Sequence, residues 1–207
     1  MSLRARVRAG KPEAFGQLFD DHSRQVYHHA FRLTGDWSTA EDIMALTFLE
    51  AWRLRAKVDP ESGSLRRWLL GIATNVARNV SRAARRHAAA IARMPAAGMV
   101  PDFADDLIAR VDDSQRIGVA RRALARLHSS ERDVFLLFEG SGLNYVECAQ
   151  ALGVPVGTVR SRLSRARRKL RKILGEKEVP DREPKDGCGQ VNGDRENVVR
   201  PSQEMTR

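Results

Sequence analysis

The chain is poor in the features that mark several large classes of protein. It has two cysteines in 207 residues, Cys148 and Cys188, too few for a disulfide framework and without a paired spacing for zinc. No window approaches the roughly 18 consecutive apolar residues of a membrane-spanning helix. Residues 1–12 carry Arg4, Arg6, Arg8 and Lys11 with no apolar stretch behind them, so a secretory signal is not expected. There is no glycine-rich phosphate loop, no His-Glu-x-x-His and no nucleophile with a base beside it. The carboxylate neighbours Asp20-Asp21, Asp105-Asp106 and Asp112-Asp113 are adjacent, and on a helix adjacent residues face different sides. His22, His28 and His29 have no partners at ligand spacing and are expected at the surface or the core edge. These absences leave a soluble, cytoplasmic protein expected to be no enzyme and to hold no metal or cofactor.

What the chain does have is positive charge. Lys and Arg number 36 against 26 Asp and Glu, a formal net charge of +10. It is clustered: residues 1–87 carry a net +6, residues 88–112 −2, residues 113–174 +8 and residues 175–207 −2. Two compact basic blocks point to polyanion contact at two places. With 42% apolar residues, the chain can also bury a core.

Nearly every periodic stretch has the helical period, so the fold class is all-α. Phe15, Leu18, Phe19, Val26, Ala30 and Leu33 form one stripe over residues 12–34, stopped by Gly35. Ser38 with Glu41 reads as a capping box opening a second helix, whose apolar positions are Ile43, Leu46, Phe48, Ala51 and Trp52. After an Asp59-Pro60 loop, a third helix starts near Ser64 and carries Leu65, Trp68, Leu69, Ile72, Val76 and Val80. These spacings predict two small helical domains, 1–87 and 113–174, joined by a flexible linker at 88–112. The tail 175–207 is polar, proline-containing and expected to be disordered. Trp37, Trp52 and Trp68 are expected in the core.

Asn144 to Leu170 is the most specific stretch. Asn144 and Glu147 form a capping box. Ala149 is small where two helices approach, Gly153 suits a positive φ, and Val159 anchors a second helix. Pro155 suits that helix's start. Eight of the nineteen residues from Val156 to Leu174 are Arg or Lys and none is acidic, while Val159, Leu163, Ala166, Leu170 and Leu174 form one narrow stripe. Like charges at i,i+4, such as Arg165–Lys169, repel in an isolated helix, and a polyanion reverses the sign. The pattern is a helix-turn-helix whose second helix enters the major groove. Thr158, Arg160, Ser161, Ser164 and Arg165 are placed for base edges, and Arg162, Arg167, Arg168 and Lys169 for backbone. In the first block, Arg67, Arg78, Trp68 and the 57–64 loop fit unpaired bases.

Taken together, the chain resembles the extracytoplasmic-function (ECF) sigma factors, promoter-specificity subunits of bacterial RNA polymerase. The resemblance rests on Ala40-Glu41-Asp42-Ile43 with Thr47-Phe48-Leu49-Glu50-Ala51-Trp52-Arg53, on Arg67 through Asn75, and on Gly153 through Arg167. Matching segments run from about residue 10 to 174. The resemblance implies a first domain that docks on core polymerase through Asp42, Thr47, Phe48, Glu50, Trp52 and Arg53. That domain would open the −10 element with Arg67, Trp68, Asn75 and Arg78. It implies a second domain that reads the −35 element with Thr158, Arg160, Ser161, Arg162, Ser164, Arg165 and Arg168, and an anti-sigma factor as a further partner. Where the family commonly has Gln-Glu, this chain has Ala45-Leu46. The rival readings are an operator-binding regulator that recruits no polymerase, which leaves residues 1–87 without a role, and an adaptor whose basic helices only pack on an acidic partner.

Overall fold

A computed structural model describes residues 1–59, 63–93 and 113–175. Eight α-helices occupy them: α1 (Leu3–Arg8), α2 (Pro12–Thr34), α3 (Trp37–Leu54), α4 (Leu65–Ile91), α5 (Asp113–Ala125), α6 (Ser129–Phe135), α7 (Tyr145–Leu152) and α8 (Val156–Leu174). A 3₁₀ turn follows α3 at Arg55–Lys57, and a π-helical turn follows α6 at Leu136–Gly140. No strand occurs among the described residues.

The helix ends follow from local chemistry. Gly35 closes α2 at φ +74° and accepts no side chain there without strain. The cap of α3 is Asp36, whose carboxylate accepts from the Thr39 N–H at 2.5 Å, so the helix starts two residues earlier than Ser38 as cap would have it. Asp36 wins because an ionised acceptor makes the stronger bond to an N-terminal N–H, and hydrogen bonds from the Thr39 side chain and then its N–H hold the carboxyl below the usual carboxylate range. Ser64 caps α4, which runs on to Ile91, past the expected end of the first domain at residue 87. Of the expected linker, residues 88–91 are thus helical, and residues 94–112 lie outside the described residues, as does the expected tail from residue 176 onward.

Two apolar clusters sit among the first four helices. One joins Val7, Leu18, Val26, Leu69 and Ile72, the other Ala30, Leu33, Ala40, Ile43 and Ala77. A third joins Val134, Leu137, Leu143, Cys148, Ala149, Val159 and Leu163 from α6 to α8, and a fourth joins Ala123, Leu127, Ala166 and Leu170. The two sets of helices exchange one leucine each. Leu70 of α4 is a member of the third cluster, and Leu136 of the π turn is a member of the second. Leu136 and Leu137 are adjacent in the π turn and face different sides, so they enter different clusters. The described residues accordingly fall within one compact unit.

Polar contacts line the seam between the two sets. His29 is fully buried, contrary to the expectation of a surface or core-edge position, with Nδ1 3.0 Å from the Ser141 hydroxyl and Nε2 2.9 Å from that of Thr74. The Thr74 hydroxyl donates to the Leu70 carbonyl, so it accepts from Nε2–H, and Ser141 donates to Nδ1. That is a neutral imidazole, and burial pushes its pKa down to about 3. The Arg66 side chain donates to the Ser141 carbonyl. At Gly71 a Cβ would lie 2.6 Å from the Ala151 carbonyl oxygen, so only glycine allows α4 and α7 to approach this closely.

Candidate nucleic-acid and polymerase interfaces

The helix-turn-helix forms from its own caps. Asn144 accepts from the Glu147 N–H, and the Glu147 carboxylate accepts from the Asn144 N–H, each at 2.9 Å. Gly153 turns the chain at φ +64°, and Pro155 is the N-cap of α8 rather than its first helical residue. Val159, Leu163, Ala166 and Leu170 are buried as the stripe predicts, whereas Leu174 is 46% exposed because the helix outruns its partners. The Cys148 thiol is enclosed, and burial pushes its pKa up to about 12, so it packs and does not react. Cys188 lies outside the described residues.

Arg160, Ser161, Ser164, Arg165 and Arg168 are exposed on the opposite side of α8, at the three- and four-residue steps of one helix face. Thr158 is half-buried, and its carbonyl accepts from the Ser161 hydroxyl at 3.1 Å. Acidic residues hold several of the cations in place. Glu131, itself 6% exposed, accepts from Lys169 at 2.8 Å and lies 3.6 Å from Arg165. It thereby bridges the two like charges that the isolated helix would set against each other. Burial raises the Glu131 pKa, but the Lys169 hydrogen bond and charge, with Arg165, outweigh it and keep the carboxyl below its usual range. Arg167 places Nε and Nη2 at 3.0 and 2.6 Å from Glu139. The Arg160 guanidinium lies 5.4 Å from the centre of the Tyr145 ring, within cation–π range. Tyr145, Glu131 and Glu139 position these cations, and no local sequence pattern announces them. Arg162 is half-buried and faces a cleft against α4 and α6 rather than the outer surface.

The first-block residues are distributed less simply. Asn75 is exposed, and its side-chain oxygen accepts from Arg78 at 3.3 Å. The Arg78 Nε also donates to Asp133 of α6 at 2.7 Å. Arg67 donates to Gln150 of α7. Trp68 is half-buried against the first cluster, as its helical spacing predicts. The expected base-capturing loop includes residues 60–62, outside the described residues. On α3, Asp42, Trp52 and Arg53 are exposed and Glu50 half-exposed, with Glu50 3.7 Å from Arg53. Phe48 is half-buried and packs on Phe19 at 4.9 Å between ring centres. Thr47 departs from its expected surface role. It is fully enclosed, and its hydroxyl donates to the Ile43 carbonyl at 2.6 Å, because its register puts it on the inward stripe with Ile43 and Ala51. Two of the three tryptophans leave the expected core: Trp37 is 59% and Trp52 39% exposed. Trp37 stacks on Phe31 at 3.8 Å and Trp52 packs edge-on against Phe15 at 4.7 Å, so each lies over the core instead of in it. Leu46 and Leu49 are also exposed and, with Glu50, Arg53, Asn75 and Asn79, line a groove of about 400 Å³ between α3 and α4.

Comparison with known proteins decides what these surfaces belong to. Residues 18–87 match the family model of sigma-70 region 2, and residues 118–170 that of sigma-70 region 4. The RNA polymerase sigma factor CarQ of Myxococcus xanthus is 33% identical over 177 residues, covering 84% of this chain and 97% of CarQ. The chain belongs to the ECF sigma factors. The ECF RNA polymerase sigma factor SigL of Mycobacterium tuberculosis is 32% identical over 77% of this chain and 88% of its own length. Among solved structures, CnrH in complex with the cytosolic domain of CnrY superposes with a TM-score of 0.63 at 26% identity, covering 84% of this chain and 95% of CnrH. As in any ECF sigma factor, the two matched regions are a promoter-recognition and transcription-initiation apparatus, and the operator-binding and adaptor readings fall away. No described helix is long and apolar enough to cross a membrane.

Proposed function

We propose that this sigma factor reads the −35 element through the exposed face of α8, and engages core polymerase and the −10 element through α3 and the adjoining part of α4. The observation that carries the reading is the sorting of α8. One stripe is buried, the opposite face presents Arg160, Ser161, Ser164, Arg165 and Arg168, and buried or neighbouring acids anchor Arg165 and Arg167 from behind. A guanidinium anchored at its base reaches a guanine edge with less loss of freedom, and a bidentate contact of that kind discriminates bases.

On α3, the exposed Asp42, Leu46, Leu49, Glu50, Trp52 and Arg53 form the polymerase-facing side. Here Ala45 and Leu46 supply apolar area where the family commonly carries Gln-Glu. Asn75 borders the same groove, which puts −10 recognition beside the polymerase contact. Arg67 and Arg78 reach the −10 element only after giving up Gln150 and Asp133, so promoter engagement separates α4 from α6 and α7. The protein performs no bond chemistry, which belongs to the polymerase, and it acts in the cytoplasm where an anti-sigma factor would hold it back.

The test is transcription from a linear promoter selected from a random pool. Core polymerase with the full chain should initiate at a fixed start, and core alone should not. Asn75→Ala should change the −10 preference and leave −35 duplex affinity as it was. Duplex binding without any association with core enzyme would overturn the reading.

A further inference from the structure

A cleft of about 730 Å³ lies along the seam, between the C-terminal half of α4, the α2–α3 turn, the start of α6 and the α7–α8 turn. Five arginines line it: Arg78, Arg82 and Arg85 from one wall, Arg132 and Arg162 from the other. The lining carboxylates are two. Asp133 is bound by Arg78 at 2.7 Å and also lies within the field of Arg132 and Arg162, one carboxylate for three guanidinium groups, and Asp36 caps α3 through Thr39. Arg82, Arg85, Arg132 and Arg162 form no ion pair among the described residues. The Nε of Arg132 is buried without any hydrogen-bond partner. A buried donor without an acceptor, in a recess that holds an excess of cations, points to an acceptor from outside the chain. Thr34, Thr39, Ser81, Ser129 and Ser130 add hydroxyl groups, and Leu33, Val80, Leu152 and Val154 add an apolar part.

We propose that this cleft binds a small anion carrying two or more linked phosphates, as free polyphosphate or on a nucleoside, which clamps α4 against α6 and α8. The volume lies in the range of small-molecule sites. Guanidinium groups on two facing walls suit a ligand that presents oxygens to both sides, and Arg favours phosphate through its planar fork of donors. A duplex presents its phosphates along a rod, whereas the cleft places guanidinium groups on two facing walls between packed helices.

Binding needs no polymerase and is measured by calorimetry on the full chain at 0.15 M salt, where the Debye length is about 8 Å and diffuse attraction is screened. The probes are tripolyphosphate, adenosine triphosphate and guanosine triphosphate. One molecule per chain is expected, with a rise in the thermal midpoint that grows with ligand concentration. The double variant Arg132→Gln/Arg162→Gln should weaken binding by about tenfold or more. Arg82→Gln/Arg85→Gln, both exposed and outside the packing, should do so while the fold stays intact. Lys11→Gln/Arg24→Gln, an equal charge change at exposed positions outside the cleft and the α8 face, should leave probe binding as it was. Equal affinity for all three probes assigns the phosphate chain alone as ligand, and tighter nucleotide binding assigns a base to the apolar wall. No binding at millimolar probe, equal losses in all three double variants, or loss of oligonucleotide binding alone would overturn the proposal.

Discussion

Helices α4 and α8 are both long, amphipathic and rich in arginine, yet they occupy different positions in the fold. α8 buries one stripe and leaves the rest of its surface open. α4 buries every residue from Leu69 to Thr74, and Ala77 as well, because α2 and α3 cover one side while α7 and the π turn cover the other. The consequence is electrostatic. On α4, Arg66, Arg67 and Arg78 contact Ser141, Gln150 and Asp133 across the seam. On α8, Arg165 and Arg167 are anchored by Glu131 and Glu139 of the same helix set. Net charge marks both blocks equally as polyanion binders, whereas geometry ranks them. α8 meets a duplex as it stands, and α4 must first exchange internal partners for external ones.

If the seam is a true core, its central side chain should cost as much to remove as one inside α8. Leu70 is 1% exposed and shares a cluster with Leu163, also 1% exposed. Leu70→Ala should destabilise the chain by about 2–5 kcal/mol, as should Leu163→Ala, measured by urea unfolding. A Leu70→Ala cost near zero beside a full Leu163→Ala cost would break the comparison, because the seam would then be a loose contact.

Acid should attack the seam next. The unfolded imidazole of His29 titrates near 6.5 and the folded one near 3, so the unfolded chain binds the proton first. The stability this group supplies is complete above pH 6.5 and is lost as pH falls toward 3, by up to about 4 kcal/mol. Asp133, elsewhere along the seam, works in the opposite direction. Burial raises its carboxyl above the usual range despite Arg78, so its penalty is present at neutral pH and disappears as acid protonates it. His29→Gln should therefore flatten the fall in unfolding free energy between pH 6.5 and 4. An unchanged pH profile would assign the acid sensitivity to other groups.

The helix-turn-helix was legible in the sequence because its signals are local: a capping box, a glycine at φ +64° and an unbroken basic run lie within about thirty residues. The position of α3 was legible too, apart from Asp36 outcompeting Ser38 as cap, but its inward face was legible only in part: Ile43 and Ala51 are buried as expected, whereas Thr47 is buried and Leu46 and Trp52 are exposed. The seam was not legible. Leu70 falls off the stripe through Leu69, Ile72 and Val76, and its partners are more than sixty residues away. A trace was there, in Leu70, Gly71, Thr74 and Ala77 as a second, small-residue face on one helix, which signals burial on two sides. The burial of His29 follows from the same long-range packing, and so does the engagement of Arg78. Trp37 and Trp52 mislead for the converse reason, since helical spacing places an aromatic on the core side without saying how far a large ring extends beyond it.

Between the two helices, DNA affinity should respond first at α8. Arg165→Ala should weaken duplex binding by about 1–3 kcal/mol, with the loss concentrated at particular base pairs of the −35 element. An equal loss on all sequences would make Arg165 a phosphate contact. Removing Arg78 should have the smaller effect on duplex affinity, because in the compact arrangement it already serves Asp133.

The smallest expected effect tests how α8 is kept ready. Glu131 holds Lys169 and Arg165 from behind, and its lowered pKa means that its contribution is complete above about pH 4.5 and lost as pH falls below that. Its partners are about half exposed, so Glu131→Gln should cost at most about 1 kcal/mol of stability. The same substitution frees two cations beside the recognition face. Non-specific duplex binding should rise and depend more steeply on salt, since each further phosphate contact adds roughly 0.9 to the logarithmic slope. Discrimination between promoter and random duplex should fall, because a guanidinium no longer held at its base settles on any phosphate. Affinity that rises with specificity intact would mean that Glu131 restrains α8 without aiming it, and would bring α8 closer to α4, whose cations are simply held.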